Sequence, residues 1–223
     1  MPGLRQYGQA VLALVALDTG DTRQGRQGDF VQASILYREV FDAFDGSKVV
    51  VRTLDAGSDK PLAFAGMTEE DNPALGVRGI RVDLLDRGLL DRQLDALAAA
   101  GRQVGGAQSS PWVMAPMVAT VDEAQWFADQ VAAAGLPKSG VMIEVPAAAL
   151  GARHVLAPVD FGSLGTNDLA QYTMAADRML GELSDLLDPW QPAVLDLVKA
   201  TCDGGAATSS PVGVCGEAAA DPV

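Results

Sequence analysis

Two apolar runs of this sequence end in carboxylates. Glu144 ends the run GVMI (140–143), and Asp168 follows Asn167 at the end of VDFGSLGTND (159–168). If both runs are neighbouring strands of a parallel sheet, the two acids share one edge, where strands lie about 4.8 Å apart. Such carboxylates repel unless a cation lies between them, and Mg²⁺ binds one or two carboxylates together with water and phosphate. The pair therefore predicts a magnesium site, and the alternative for Glu144 is a capping or salt-bridging residue.

Arginines form the second group of chemically interesting residues. Four of them lie at or just beyond predicted strand ends: Arg52, Arg78, Arg81 and Arg178. Arg52 lies within the apolar run VVVRTLD, where a guanidinium must be paired or bound to a ligand. Pairing with Asp55 or Asp59 would make Arg52 structural. Convergence of several guanidiniums would instead provide bidentate donors for phosphate and carboxylate.

Cys215 is a third candidate, because it ends the last apolar run, GVCGE, beside Gly216. A free cysteine is most often an inert buried residue. Next to a metal-bound anion, however, a thiol can donate or accept a proton. The only histidine, His154, is expected on a helix before the strand at 159, at the surface and not in catalysis.

The elements that carry these residues alternate along the chain. Strands are predicted at 48–55, 112–119, 140–146, 159–168 and 211–217, with a shorter candidate at 76–82. Helices are predicted at 31–44, 89–103, 121–135 and 189–205, and connections at 18–30, 101–111 and 202–211. Strands separated by single helices indicate right-handed βαβ crossovers and a parallel sheet. No glycine-rich G-x-G-x-x-G turn follows the first strand, which favours a barrel over a dinucleotide-binding sheet.

The helix at 121–135 has clear sequence signals at both ends. Thr120 is the expected N-cap, with Glu123 as its capping-box partner, and Gly135 is the expected stop. This helix separates the strand at 112–119 from the strand of Glu144. It therefore supports the crossover that brings both strand ends to one edge.

The composition of the chain indicates which kinds of binding partner are unfavourable. The 223 residues include 16 Lys and Arg against 29 Asp and Glu, a net charge of -13 that argues against nucleic-acid and membrane partners. Two cysteines are too few for a disulfide framework. The apolar run VLALVAL (11–17) is too short to span a bilayer and lacks a cleavage site. A cytoplasmic protein is expected.

Six segments, in this order, resemble a known family: VVVRTLDAGSDKPL, NPALGVRGIR, APMVATVDEA, GVMIEVPAAAL, VDFGSLGTNDLAQYTMAADR and PVGVCGEAAADP. They are similar to the phosphoenolpyruvate-binding barrel of enzyme I of the bacterial sugar phosphotransferase system. The resemblance covers roughly residues 36–223. The barrel is shared more loosely with pyruvate phosphate dikinase and phosphoenolpyruvate synthase, and GTNDLAQYTMAADR favours enzyme I.

The resemblance implies a (β/α)8 TIM-type barrel that binds phosphoenolpyruvate and Mg²⁺. It also implies phosphoryl transfer to a histidine on a separate domain, with release of pyruvate, the phosphocarrier protein HPr as a partner, and a homodimer formed through the barrel. The implied metal ligands are Glu144 and Asp168. The implied substrate-binding residues are Arg52, Arg78, Asn167 and Arg178. Cys215 would be the acid that protonates the enolate carbon.

Parts of the family pattern are not found in this sequence. The Arg-Thr-Glu-Phe motif of an earlier strand has no match in residues 1–35, and the sequence stops soon after the strand of Cys215. We therefore expect an incomplete barrel, without its first strands and closing helix, with a divergent N-terminal segment at 1–35 and the barrel domain at 36–223. Two alternatives are a catalytically inactive binding or dimerisation module and a barrel of the dikinase or synthase type.

Overall fold

A computed structural model describes residues 23–44, 47–57, 70–84, 87–103 and 111–220. The described chain divides into two compact units. The N-terminal unit comprises the described residues up to 115 together with 129–139, and the C-terminal unit comprises 116–128 and 140–220. The apolar run at 11–17 and Asp59 lie outside the described residues.

The N-terminal unit contains two long helices and two parallel strands. Its elements are α1 (Arg23–Ala43), β1 (Val50–Arg52), α2 (Arg87–Gln103) and β2 (Trp112–Ala115), with 3-10 turns at Pro73–Leu75 and Gly79–Leu84. β1 and β2 pair in parallel from Val50 with Trp112 to Arg52 with Met114. The unit is therefore an α/β arrangement, and Arg52 lies at the carboxyl end of its first strand.

The core of this unit lies between α1 and α2. Leu90, Leu94 and Leu97 follow helical spacing and are buried, as are Tyr37 and Phe41 on α1. Burying each large apolar side chain contributes about 1.5–3 kcal/mol. The apolar periodicity therefore explains why these two helices pack together.

Gln93 ties the helices of this unit to β1. Its side-chain NH₂ donates to the Tyr37 hydroxyl at 2.9 Å, and its carbonyl oxygen accepts the Leu54 N–H at 3.0 Å. One amide thus joins α1, α2 and the segment that follows Arg52. The position of that segment depends on this polar contact as well as on apolar packing.

The C-terminal unit is built around parallel strands. Its elements are α3 (Val121–Ala133, shared with the N-terminal unit from residue 129), β3 (Lys138–Ile143, from residue 140), α4 (Pro146–Leu150), α5 (Ala152–Val155), β4 (Phe161–Gly165), α6 (Thr166–Met174), α7 (Pro192–Thr208) and β5 (Val212–Cys215). Two 3-10 turns lie at Gly181–Leu187 and Glu217–Ala219. β4 pairs in parallel with β3 on one side and with β5 on the other. The carboxyl ends of all three strands therefore lie on one edge.

Most of the predicted elements are confirmed. Strands occur within all five long predicted runs, helices occupy each predicted helical segment, and His154 is exposed on α5. Thr120 and Glu123 form the capping box, since the Glu123 N–H donates to Thr120 Oγ1 at 3.2 Å and the Thr120 N–H donates to Glu123 Oε2 at 2.9 Å. Gly135, with φ 75°, follows the end of α3. The parallel α/β class is confirmed, whereas a complete eight-stranded barrel is not seen in the described residues.

The strand predicted at 76–82 is wrong, because part of this segment is a 3-10 helix, Gly79–Leu84. Its backbone donors have partners outside any strand ladder: the Val77 N–H donates to the Glu70 carboxylate at 3.2 Å, and the Gly79 N–H donates to the Ala56 carbonyl at 3.0 Å. Gly79 has φ 58°, a left-handed conformation that interrupts an extended chain.

The connection predicted at 202–211 is also wrong in large part, because α7 continues to Thr208. The Gly-Gly pair that indicated a loop serves close packing instead. A Cβ on Gly204 would lie 2.6 Å from the backbone nitrogen of Arg153, and one on Gly205 would lie 2.6 Å from a Val212 methyl group. At the other end of the chain, α1 begins at Arg23 and not at residue 31. The domain boundary between residues 35 and 36 stays a prediction.

Candidate substrate and metal site

Glu144 follows β3 directly and is 1% exposed. Its Oε1 accepts the backbone N–H of Met117 at 2.6 Å. Met117 has φ 60°, a conformation rare for a residue other than glycine, and in it the N–H is directed at the carboxylate. The sequence predicted Glu144 but not Met117, since no local pattern marks a left-handed methionine.

Gly165 at the end of β4 makes room for the Glu144 side chain. A Cβ on Gly165 would lie 2.7 Å from Glu144 Oε2 and 2.9 Å from Glu144 Cβ, so a larger residue would displace the carboxylate. Gly165 is also the register partner of Cys215. Directly paired residues point to the same face of a sheet. Glu144 and Cys215 therefore lie on either side of a glycine on one face, and we call Glu144, Gly165 and Cys215 the strand-end row.

Asp168 lies in the first turn of α6, where the helix dipole favours a negative charge. It is buried, and its Oδ2 lies 3.5 Å from Nη1 of Arg178. Arg178 is held by a second contact, because its backbone N–H donates to Gln171 Oε1 at 2.9 Å. The chain turns back after α6 through Ala175, with φ 52°. The predicted residues Asp168 and Arg178 are thus in contact, and Gln171 was not predicted.

Asn167 joins α6 to the segment that follows Cys215. Its Oδ1 accepts the Glu217 N–H at 3.0 Å, and the neighbouring Thr166 hydroxyl donates to the Cys215 carbonyl at 3.0 Å. Gly216 between them has φ 89°, and a Cβ there would overlap Thr166 Oγ1 and approach Asn167 Oδ1 to 2.9 Å. The position of Cys215 relative to α6 is therefore fixed by polar contacts and by a required glycine.

The sulfur of Cys215 makes two polar contacts. Its thiol donates to the Leu164 carbonyl at 3.1 Å and accepts from the Ser163 hydroxyl at 3.5 Å. Ser163 is fully buried in β4. Ser163 was not predicted, although a single hydroxyl within the apolar run FGSLG is a sequence signal for it.

The two predicted arginines of the N-terminal unit share one carboxylate. Arg52 Nη1 lies 3.2 Å from Asp55 Oδ2, and Arg78 Nη2 lies 3.3 Å from the same oxygen. The side chains of Arg78 and Asp55 are 1% and 2% exposed. Pairing of Arg52 with Asp55 is therefore confirmed, while a role of these arginines in binding an anion stays a prediction.

Glu144 and Asp168 are the two carboxylates that the sequence predicted as metal ligands. Among the described residues no group of three or more His, Cys, Asp or Glu side chains is placed to hold a metal ion by itself. Glu144 and Asp168 are both buried near the paired ends of β3 and β4. Carboxylate oxygens are hard donors of the type that Mg²⁺ takes together with water and substrate, and the two residues stay a prediction as its ligands.

The fold defines a class of protein: an α/β protein with polar and charged side chains at the carboxyl ends of parallel strands. A solved HpcH/Hpal aldolase/citrate lyase family protein from Burkholderia cenocepacia J2315 is similar, with a TM-score of 0.51 and 18% identity over 87% of this chain and 69% of that protein. That likeness concerns the fold alone. Residues 22–223 match the family "PEP-utilising enzyme, PEP-binding domain", and the chain belongs to this family.

Curated relatives share one name, phosphoenolpyruvate-protein phosphotransferase. The protein from Streptomyces coelicolor is 55% identical over 188 residues, which is 84% of this chain and 33% of the relative. The proteins from Haloferax volcanii and Listeria monocytogenes are 45% and 43% identical to this chain. Each match covers 83% of this chain, and the matches cover 35% and 34% of the respective relatives. The chain spans about a third of the length of the relatives it matches. No described helix is long and apolar enough to cross a membrane.

Proposed function

We propose that this chain binds phosphoenolpyruvate together with Mg²⁺ and serves phosphoryl transfer to a histidine on a separate domain, with release of pyruvate, as the first step of the sugar phosphotransferase system. The observation that carries the proposal is the strand-end row, in which a buried carboxylate and a thiol flank a glycine on one face. The name shared by the relatives supports it, since that name describes phosphoryl transfer from phosphoenolpyruvate to a protein.

Glu144 and Asp168 are proposed as the metal ligands. A bound Mg²⁺ would neutralise phosphate charge and stabilise the developing enolate. The protein contributes fixed geometry, because Met117 and Gly165 hold Glu144 and the contact with Arg178 orients Asp168. Phosphoryl transfer depends mainly on such positioning and on charge neutralisation.

Arg52, Arg78 and Arg178 are proposed to bind the phosphate and carboxylate groups of the substrate. Two guanidiniums carry more N–H donors than a single carboxylate such as Asp55 can accept, so their contact with Asp55 is compatible with anion binding. Asn167 is proposed to donate a hydrogen bond to the substrate from its amide NH₂ group, and the Glu217 N–H bound to its carbonyl oxygen supports that orientation of the amide.

Cys215 is proposed as the acid of the final proton transfer. When the phosphoryl group has left, the enolate carbon takes the thiol proton: the S–H bond breaks, a C–H bond forms, and a thiolate remains until solvent returns a proton. The thiol suits this role because it is half-buried at the carboxyl end of β5 and is held by the Thr166 contact to its own carbonyl.

The partners and compartment belong to the same proposal: a phosphohistidine domain, the phosphocarrier protein HPr, a homodimer and the cytoplasm. Exposed apolar side chains on the C-terminal unit support a dimer surface, namely Met179, Leu180, Leu186, Trp190 and Leu195. Light scattering tests the dimer, since a monomeric mass at all concentrations contradicts it.

Isothermal titration of the chain with phosphoenolpyruvate, with and without Mg²⁺, tests the central proposal. Binding should require Mg²⁺, and Glu144→Ala and Asp168→Ala should each abolish that requirement together with most of the affinity. Glu182→Ala is the matched control, because Glu182 is an exposed acid of the same unit and should leave the titration unchanged. No binding at millimolar ligand would favour an inactive module, and unchanged metal dependence in both variants would refute the ligand assignment.

A further inference from the structure

We infer that Ser163 is a positioning residue for Cys215, because its hydroxyl donates to the sulfur and stabilises the thiolate that proton transfer leaves behind. This inference deepens the proposed function and rests on it for the role of Cys215. The contact itself does not depend on that role. It joins residues 52 positions apart in the sequence, with Ser163 Oγ 3.5 Å from Cys215 Sγ.

The register of β4 and β5 explains why these two side chains meet. Ser163 pairs directly with Gly213, and Gly165 pairs directly with Cys215. Both direct partners lack a side chain, so the two remaining side chains on this face are diagonal neighbours with nothing between them. The two glycines therefore let a short serine reach a thiol on the next strand.

A structural role alone does not explain why position 163 is a serine. Ser163 is 0% exposed, and its hydroxyl must find an acceptor because a buried hydroxyl without a hydrogen bond is unfavourable. A neutral thiol is a poor acceptor, and alanine would avoid the problem altogether. A thiolate, in contrast, is a strong acceptor, since hydrogen bonds to ionised groups are about twice as strong as neutral ones. The contact thus gains strength when Cys215 loses its proton.

The second hydrogen bond of the Cys215 sulfur favours the protonated thiol, whereas the one from Ser163 favours the thiolate. In the thiol form Cys215 donates to the Leu164 carbonyl at 3.1 Å, which stabilises the protonated state. Ser163 offsets this preference and so brings the two protonation states closer in free energy. An acid that must release its proton and recover it in each cycle benefits from such a balance.

Several charged residues lie on the segments next to Cys215 in the fold. Glu144 belongs to the strand-end row, Asp168 lies on α6 and Glu217 follows Cys215, whereas Asp196, Lys199 and Asp203 of α7 are exposed. All of them stay in place when only Ser163 is changed. A comparison of variants at position 163 therefore isolates the hydroxyl.

The test is the pH dependence of iodoacetamide alkylation of Cys215 in the full chain, followed by mass spectrometry across the ordinary thiol pKa of about 8.5. Ser163→Ala should slow alkylation below that pKa about threefold to tenfold while leaving the alkaline plateau unchanged. A structural role alone would not move the pH profile. An unchanged profile would overturn the inference.

A matched pair of variants separates the loss of the hydroxyl from a folding defect. Ser163→Thr and Ser163→Val have the same shape and differ in the hydroxyl, so threonine should keep the wild-type profile and valine should reproduce that of alanine. Identical profiles for the pair would overturn the inference. Ser210→Ala, a buried serine that donates to the Leu156 carbonyl, should change nothing, and the exposed Cys202 provides an internal rate standard in every sample.

These measurements need no phosphoenolpyruvate, so the two proposals fail separately. A retained difference between threonine and valine, with no substrate binding by the wild type, would contradict the proposed function alone. Metal-dependent substrate binding without that difference would contradict the role of Ser163 alone.

Discussion

The arginine cluster of the N-terminal unit and the strand-end row of the C-terminal unit are held in different ways. In the first, Asp55 lies 3.2 and 3.3 Å from two guanidiniums, and Arg78 and Asp55 are almost fully buried. In the second, Glu144 accepts the backbone N–H of Met117 at 2.6 Å, and Gly165 leaves room for its carboxylate. Oppositely charged side chains therefore make the described contacts of the first cluster, whereas a backbone N–H and a glycine position the carboxylate of the second. Loss of Asp55 should therefore mainly lower stability, and displacement of Glu144 should mainly weaken ligand binding.

The largest effect is expected for Asp55→Ala. Removing one partner of a buried ion pair leaves its guanidiniums buried without their carboxylate, so unfolding free energy should fall by about 3–5 kcal/mol. Denaturant titration measures this loss. The control is Asp203→Ala, which removes an exposed ion pair with Lys199 and should have no measurable effect. Equal stability of the two variants would show that Asp55 does not hold the cluster together.

A smaller and different effect is expected for Gly165→Ala. The new Cβ would lie within 3.0 Å of atoms of Glu144 and Met142, and overpacking of this kind costs about 1–3 kcal/mol. Because the carboxylate must move, Mg²⁺-dependent binding of phosphoenolpyruvate should weaken about tenfold, measured by isothermal titration. Gly181→Ala is the control, since no atom lies within 4 Å of its Cβ position. If the two variants bind equally, Glu144 does not need its present position.

The smallest expected effect is a loss of stability at alkaline pH that arises in the N-terminal unit. Burial raises the pKa of Tyr37 above its ordinary value of 10.0, and the hydrogen bond from Gln93 lowers it in part. The unfolded chain therefore loses this proton first, and stability should fall as the pH rises from about 10 through the higher pKa of the folded state. Denaturant titration on both sides of that pH should show the fall.

Two tyrosine variants test whether the loss of stability at alkaline pH arises in the N-terminal unit. Tyr37→Phe should reduce it, because the titrating hydroxyl is gone. Tyr172→Phe, in the C-terminal unit, should leave it in place. A fall of the same size in the wild type and in Tyr37→Phe would assign the alkaline sensitivity to other groups.

Periodicity and spacing predicted much of this molecule correctly. The leucines of α2, the capping box of Thr120 and Glu123 and the strand ends of Glu144 and Cys215 are all local patterns, and local patterns are visible in a sequence. Errors arose where one local signal has two structural meanings. Gly204 and Gly205 suggested a loop, but they lie inside α7. They are glycines there because neighbouring atoms leave no room for a side chain.

The sequence by itself determined which chemical groups this protein has, most of the strands and helices, and that the strands run in parallel. The tertiary structure alone decided their contacts: Met117 with Glu144 across 27 residues, Asp55 with Arg78 across 23, and Ser163 with Cys215 across 52. Local propensity fixes secondary structure through neighbouring residues. Contacts between distant side chains also depend on strand register and on single backbone angles such as that of Met117, which only the folded chain sets.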